Sequence, residues 1–279
     1  MNQQIRTHHD TGRVLWLSNE KIELGIALDY GIRIIHLSCA GMENLFYRQP
    51  GDCSDGHITD QGWRLYGGHR FWLAPESELS TFPDNQPVSY RLLPDGAEII
   101  QQADPWLQVE KTVTVHFMDN GTIELIHTIK NIASATAQFA LWGITTLAAG
   151  GTAEISFAGT DLSDNLVPRR TVSLWANTNL HDPRVCFHDD KVCIKQLPMD
   201  QFFKIGVYSK NGYMYTENLG QRLEILFEPN TIEQLADYGS NAEVYLDRNF
   251  MELETLGISH SIEPGQSVSH KEIWRIMPV

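Results

Sequence analysis

Three glutamates near the end of the sequence have a spacing that could support acid/base chemistry. Glu243 lies in the run 241–247, and Glu252 and Glu254 lie in the run 250–256. If the two runs form a hairpin, the alternation of side chains along a strand puts all three carboxylates on one face. Glu252 and Glu254 would then be about 6.5 Å apart, within the range of acid/base carboxylate pairs. The pattern indicates a candidate active site, with an exposed acidic face as the alternative.

The register of this hairpin depends on the turn at 248–249. With a two-residue turn, Tyr245 pairs with Glu252 and Glu243 pairs with Glu254. Arg-Asn is not the favoured Asn-Gly turn, and a longer loop would change the register. Facing like charges destabilise a sheet, so such a cluster needs cations, a ligand or raised pKa values.

A second group of candidates lies in Gly62–Glu76, which contains paired glycines, two tryptophans, two arginines, a histidine and a glutamate. The apolar face of a sugar ring rests on aromatic side chains, while its hydroxyls need a few well-placed polar groups. We therefore predict a loop that lines a carbohydrate groove through His69, Arg70, Trp72 and Glu76. The alternative is a loop whose aromatics close one end of the fold and whose charges are solvated, with His69 a hydrogen-bonding residue only.

Four further residues are weaker candidates for ligand binding. Asp182 and Arg184 are two positions apart and either contact a ligand or pair with each other. Lys204 interrupts an apolar strand, either as a snorkelling surface residue or as a cation directed at the acidic hairpin, and we favour the second. Trp142 is expected in the core, with a stacking platform for a sugar as the alternative.

The elements that must position these residues are strands. Apolar and polar residues alternate with a period of two between Gly, Asn, Asp and Pro, and no segment keeps a helical period over three turns. Strands are predicted at 21–28, 107–117, 122–129, 137–147, 202–208, 222–227, 243–247 and 268–276. So many antiparallel strands favour two large sheets packed face to face, in one all-β domain over residues 1–279. Residues 49–87 break the rhythm and are predicted to form a long functional loop.

Composition excludes several classes of partner. The chain has 35 acidic and 21 basic residues, and its formal charge of −14 repels nucleic acids and anionic membranes. The first ten residues contain no apolar targeting segment and no run could span a bilayer, so we expect a cytoplasmic protein. No dinucleotide or phosphate-binding motif occurs, so no organic cofactor is expected. No metal is assigned, although a divalent cation on the acidic hairpin is an open alternative, and the oligomeric state is not indicated.

The cysteines indicate no disulfide framework. Four in a chain of this length are too few for one, and their spacing fits no zinc motif. Cys186 and Cys193 flank the turn-like segment 188–191 and are expected to face each other as a free buried pair. Cys39 and Cys53 carry no signal.

Several motifs together resemble the galactose-mutarotase-like proteins. The start of the chain is similar at Asn19–Tyr47 and the end at Pro264-Gly265. A narrower resemblance links the chain to a bacterial family catalogued only as a domain of unknown function. It rests on Tyr66-Gly67-Gly68, Phe71–Glu76, Trp142 with Thr145, Met251–Gly257 and Glu272-Ile273-Trp274. The resemblance covers nearly the whole chain and implies a large antiparallel two-sheet super-sandwich.

The resemblance also implies a reaction class. Aldose epimerases of this superfamily use a histidine acid on the ring oxygen and a glutamate base on the anomeric hydroxyl. Glu252 or Glu254 would be the base here, with Glu243 as a third candidate. The strand 142–146 lacks the histidine of the mutarotase motif, so His69 is the substitute acid, because an imidazole of ordinary pKa suits proton transfer near neutral pH. The expected function is carbohydrate binding with epimerase chemistry, and a non-catalytic sugar-binding module or a carboxylate-based lyase or hydrolase are the alternatives.

Overall fold

Two large antiparallel sheets form the fold in a computed structural model of the chain, which describes residues 1–49, 62–118, 121–157 and 170–279. The first sheet has eleven strands and provides the candidate site. In spatial order its strands are β1 (Asn2–His8), β2 (Gly12–Ser18), β3 (Ile22–Ala27), β4 (Ile34–Cys39), β5 (Gly68–Ala74), β10 (Ala137–Ala148), β19 (Phe250–Leu256), β18 (Ala242–Leu246), β15 (Phe203–Val207) and β12 (Val172–Leu174), with β20 (His260–Ile262) paired to β10.

The second sheet has ten strands and covers one face of the first. In spatial order its strands are β13 (Val185–Phe187), β14 (Lys191–Lys195), β11 (Thr152–Ser156), β16 (Tyr213–Asn218), β17 (Gln221–Phe227), β21 (Ser267–Pro278), β9 (Thr122–Asn131), β8 (Val109–Met118), β7 (Gly96–Ile100) and β6 (Ser89–Leu93). The only helix among the described residues is a 3-10 turn at Ile232–Gln234. The predicted all-β, two-sheet sandwich with little helix is therefore confirmed.

Burial patterns explain why the two sheets pack as they do. In β17 and most of β8, buried side chains alternate with partly exposed ones, so one face of the second sheet is apolar and the other meets water. In β5 and β19, at the centre of the first sheet, every residue is buried. These central strands are covered on both faces, by the second sheet on one side and by the side chains that surround the candidate site on the other.

The structure corrects two expectations about local structure. The predicted loop over residues 49–87 contains a central strand, because Gly68–Ala74 pairs with both β4 and β10. Residues 50–61 of that prediction lie outside the described residues. Cys186 and Cys193 do face each other and are free, but Cys186 is exposed and Cys193 only half-buried, since they lie near the edge of the second sheet. Cys53 also lies outside the described residues.

None of the helices in the described parts of the chain has the length and apolar character needed to cross a bilayer.

Candidate functional site

The acidic hairpin has the register that its sequence predicts. Strands β18 and β19 pair Tyr245 with Glu252 and Glu243 with Glu254. The backbone N–H of Asp247 donates to the carbonyl of Phe250 over 3.0 Å, so only two residues form the turn. The three glutamates therefore share one face of the first sheet.

Alternation along three neighbouring strands brings further side chains to that face. Trp142 of β10 is paired with Trp72 of β5, and Thr146 of β10 with Glu252 of β19. Arg70 lies two residues before Trp72 and points to the same side. The face is thus built by β5, β10 and the hairpin of β18 and β19, which come from three distant parts of the sequence and are adjacent in the sheet.

A cavity of about 720 Å³ opens over this face. Its volume is in the range that holds small molecules in proteins. The residues that line it are Tyr47, Gln49, Trp63, Leu65, Arg70, Trp72, Glu76, Thr81, Trp142, Trp175, Asn177, Phe202, Lys204, Tyr245, Asp247, Asn249, Phe250, Glu252 and Glu254. Eight of these nineteen are Trp, Tyr or Phe and six are charged, so flat aromatic rings alternate with charged groups around the wall.

Glu252 is held by two donors on neighbouring strands. Its Oε1 accepts a hydrogen bond from Arg70 Nη1 over 3.0 Å and another from Thr146 Oγ1 over 2.8 Å. The side chains of Glu252 and Arg70 are 9% and 6% exposed, so the pair is nearly shielded from water. No hydrogen bond to Oε2 of Glu252 comes from the described residues. One carboxylate oxygen is thus fixed, and the other is open to a ligand.

Lys204 lies between two buried carboxylates. Its Nζ is 2.9 Å from Glu243 Oε2 and 3.1 Å from Glu254 Oε2. Burial by itself would lower the pKa of Lys204, but Glu254 and Glu243 outweigh it and raise that pKa. Burial raises the pKa of both Glu243 and Glu254, although Lys204 opposes the shift. The two carboxyls therefore keep a proton to higher pH than ordinary glutamates.

Both cations of the cavity lie against tryptophan rings. The Arg70 guanidinium is 4.6 Å from the centre of the Trp72 ring, and Lys204 Nζ is 4.7 Å from that of Trp142. The indole N–H of Trp142 also donates to Glu254 Oε2 over 2.8 Å. Trp142 is thus a wall of the cavity and a positioning residue for Glu254. Lys204 points at the acidic hairpin, which is the orientation that we favoured from the sequence.

His69 lies on the opposite face of β5, between the two sheets. It is 1% exposed and is not among the residues that line the cavity. Its Nδ1 contacts Thr145 Oγ1 at 3.0 Å and its Nε2 contacts His127 Nε2 at 2.8 Å. Alternation explains this position, because Arg70, the next residue, takes the cavity side. The role of acid on a cavity ligand predicted for His69 therefore has no support in its position, since the strand itself separates ring and cavity.

His69 belongs to a hydrogen-bonded group that we call the interior cluster: His69, His127, Thr145, Thr255, His270, Glu272 and Trp274. His127 Nδ1 donates to the carbonyl of His270, so its neutral ring accepts at Nε2 from the Nε2–H of His69. Ligand atoms of His69, His127 and Glu272 lie within 4.8 Å of one another. The two imidazoles bond directly to each other, so we assign no metal there.

The other predicted residues differ in their distance from the cavity. Asp182 and Arg184 pair with each other, with Arg184 Nη2 2.7 Å from Asp182 Oδ2, and neither lines the cavity. Glu76 lines the cavity and is exposed. Glu243 is fully buried behind Lys204 and does not line it.

Sequence reasoning missed several wall residues. Tyr47 and Gln49 reach the cavity from the segment after β4, where single bridges at Phe46 and Arg48 hold the chain against β10 and Gly67. Nothing in their local sequence marks them as cavity residues. Phe202 could have been found, because it lies two residues before Lys204 and therefore points to the same side of the sheet.

Comparisons with known proteins identify the fold. No family model and no curated protein matches the chain. A solved TPR-domain containing protein from Parabacteroides distasonis is 15% identical with a TM-score of 0.66; the match covers 96% of this chain and 48% of that protein, about half its length. A provisionally named aldose 1-epimerase from Klebsiella pneumoniae is 8% identical with a TM-score of 0.63, covering 99% of this chain and 83% of the other. A galactose mutarotase-like protein from Lactobacillus casei is 12% identical with a TM-score of 0.59, covering 95% of this chain and 100% of the other. At these identities the likeness concerns architecture, and the chain has the galactose mutarotase-like fold.

Proposed function

We propose that the cavity binds a carbohydrate and that Glu252 and Glu254 carry acid/base chemistry at its anomeric carbon. The observation that carries the proposal is the wall itself, where two buried glutamates from alternate positions of β19 stand among eight aromatic rings. Such a wall suits a pyranose, whose faces are apolar and whose edges carry hydroxyls. Solved proteins of this fold with the names galactose mutarotase-like and aldose 1-epimerase add support.

The environments of the two glutamates suggest different roles. Glu252 is paired with the permanently charged Arg70 and keeps one oxygen free of hydrogen bonds from the described residues, which suits a base. Glu254 shares Lys204 with Glu243, and burial raises the pKa of both carboxyls, which suits a group that delivers a proton. This assignment replaces His69 by Glu254 as the acid.

The reaction would open and reclose the sugar ring. Glu252 takes the proton of the anomeric hydroxyl while Glu254 gives a proton to the ring oxygen, and the bond between the anomeric carbon and the ring oxygen breaks. The open-chain aldehyde then turns its carbonyl face, and the reverse proton transfers close the ring as the other anomer. The reaction needs one protonated and one ionised group; burial raises the pKa of Glu254, which suits the protonated one, and Arg70 stabilises a negative charge on Glu252. The proposal keeps the single domain over residues 1–279 and the cytoplasmic location expected from the sequence.

The test is anomer interconversion, measured by exchange NMR on a panel of aldoses with wild type, Glu252→Gln and Glu254→Gln. We expect wild type to accelerate exchange for at least one sugar and each variant to lose about 100-fold or more, since one general acid or base contributes about that factor. Glu110→Gln is the matched control, because Glu110 is an exposed residue of the second sheet. Its rate should equal that of wild type.

The same measurements separate the alternatives. A sugar that binds without accelerated exchange in wild type would indicate a binding module and refute the epimerase. Release of a reducing end or of an unsaturated product from oligosaccharides would indicate a hydrolase or a lyase. No binding of any sugar would refute the proposal as a whole.

A further inference from the structure

We infer that the cavity selects its sugar by charge, binding protonated amino sugars most tightly, neutral sugars less tightly, and phosphorylated or carboxylated sugars least. The inference concerns the ligand of the cavity and rests on the proposed carbohydrate function. It follows from the charges of the wall and from how its two cations are already paired.

The cavity wall carries an excess of acidic groups. Four carboxylate residues line it, namely Glu76, Asp247, Glu252 and Glu254, and two cations line it, namely Arg70 and Lys204. Glu243 stands directly behind Lys204. Even with one proton held between Glu243 and Glu254, the acids outnumber the cations. A phosphate or carboxylate on the ligand would therefore enter a negative field.

Both cations are already paired with carboxylates of the site. Arg70 Nη1 donates to Glu252 over 3.0 Å, and the guanidinium lies over the rings of Trp63 and Trp72. Lys204 contacts two carboxylates and lies over the rings of Trp142 and Trp175. A ligand phosphate would have to share either cation with a carboxylate that is already paired with it, and the two anions would repel each other.

The mouth of the cavity offers unneutralised acid to a ligand cation. Glu76 is exposed, and no ion pair joins it to another described residue. Asp247 uses Oδ1 to accept the N–H of Asn249 over 2.8 Å, and no described cation pairs with it. The two carboxylates lie toward opposite ends of the cavity, since Glu76 follows Ala74, which pairs with Ala140, and Asp247 bonds to Phe250, which pairs with Ala148. The aromatic rings of the wall also attract cations. The net charge of −14 favours the approach of the same ligands.

The experiment is a calorimetric titration with galactosamine, galactose and galactose 6-phosphate at about pH 6, where a sugar amine is protonated. Steps of about tenfold in Kd are expected between amine and neutral sugar and between neutral sugar and phosphate, as for unit charges about 4 Å apart that water largely screens. Added salt should weaken the binding of the amino sugar and strengthen the binding of the sugar phosphate, because it screens both the attraction and the repulsion. N-acetylgalactosamine, whose nitrogen carries no charge, should bind more weakly than galactosamine.

Variants at the mouth of the cavity test whether Glu76 and Asp247 cause the preference for the amino sugar. The double change Glu76→Gln and Asp247→Asn should reduce the preference for the amine over the neutral sugar about tenfold while leaving the neutral sugar's Kd within about twofold. Glu78→Gln is the matched control, because Glu78 is exposed in the same segment and does not line the cavity.

The outcomes distinguish the two proposals. Equal affinities for the three sugars, or tighter binding of the phosphate, would overturn charge selection and leave carbohydrate binding intact. Failure of every sugar to bind would overturn the carbohydrate function itself. An unchanged preference in the double variant would overturn the role of the mouth carboxylates.

Discussion

Two polar groups lie on opposite sides of β5, β10 and β19, and each keeps its buried polar side chains paired in a different way. On one side is the group that we call the cavity cluster, to which β18 and β15 also contribute: Arg70, Thr146, Lys204, Glu243, Glu252 and Glu254. On the other face is the interior cluster around His69 and Glu272. Neighbours in sequence belong to different clusters: His69 and Arg70, Thr145 and Thr146, and Glu254 and Thr255.

The cavity cluster keeps its charges by pairing them. Each buried carboxylate there is within about 3 Å of a lysine or an arginine, and the cavity adds solvent on one side. The interior cluster contains no lysine or arginine, and hydrogen bonds alone join its side chains. Burial lowers the pKa of His127 and of His270 to about 4 and raises that of Glu272. Of the two clusters, the cavity cluster alone borders the cavity, so it is the one placed to exchange protons with a ligand.

The largest expected effect comes from removing a cation from the cavity cluster. Lys204→Met leaves Glu243 and Glu254 buried without their counter-ion, and we expect a loss of about 3–5 kcal/mol in the free energy of unfolding at pH 7. Burial raises the folded-state pKa of both carboxyls, so the stability tied to their protons is present at low pH and lost as pH rises. The loss in the variant should therefore shrink at about pH 5. Urea unfolding at both pH values measures it.

A lysine in an exposed ion pair of the second sheet shows how much stability is lost when a lysine outside the cavity cluster is removed. Lys191 pairs with Glu154 over 2.7 Å, with side chains that are 37% and 26% exposed. Lys191→Met should cost about 1 kcal/mol or less, because exposed ion pairs contribute little. Equal losses in the two variants would show that the cavity carboxylates do not depend on Lys204.

The buried His127 of the interior cluster should lower the free energy of unfolding as pH falls, whereas the protons of Glu243 and Glu254 raise it. The pKa of His127 is lowered by burial from 6.5 to about 4, so the unfolded chain binds the extra proton first and stability falls as pH drops through this window. In His127→Gln, the loss of stability between pH 7 and pH 5 should be about 2 kcal/mol smaller than in wild type. Urea unfolding at the two pH values provides the comparison. His9→Gln, at an exposed histidine, should leave the difference unchanged.

The contrast between the clusters also shows what could be predicted from the sequence. Period-two alternation predicts the strands, the sandwich and the 248–249 turn, because these depend on local pattern. It also puts His69 and Arg70 on opposite faces once Gly68–Ala74 is known to be a strand. The many glycines and aromatic residues of that segment predict a loop. It is a strand because it pairs with β4 and β10, which its local sequence does not show. Contacts such as Arg70 with Glu252, 182 positions apart, follow from strand order, which local pattern does not specify.

A smaller effect is expected from crowding the interior cluster. A Cβ at Gly143 would lie 2.3 Å from Glu272 Oε1 and 3.1 Å from Thr255 Oγ1. Gly143→Ala should therefore cost about 1–3 kcal/mol, because two hydrogen-bonded side chains must shift. Gly257→Ala is the matched control, since its Cβ would come no closer than 3.3 Å to His270. A cost for Gly143→Ala no larger than the control, in urea unfolding, would mean that the interior cluster tolerates rearrangement.

The finest comparison uses one indole from each cluster. Trp142 Nε1 donates to Glu254 Oε2 over 2.8 Å, and Trp274 Nε1 donates to Glu272 Oε2 over 2.7 Å. Each Trp→Phe change removes the donor and a similar volume of ring. Glu254 Oε2 keeps Lys204 as a donor at 3.1 Å after the change, whereas no other described residue donates to Glu272 Oε2. We expect Trp274→Phe to cost about 1–2 kcal/mol more than Trp142→Phe in urea unfolding, the penalty for leaving a buried acceptor unsatisfied. Equal costs would mean that Lys204 does not compensate Glu254 for the lost donor, and would remove this difference between the two clusters.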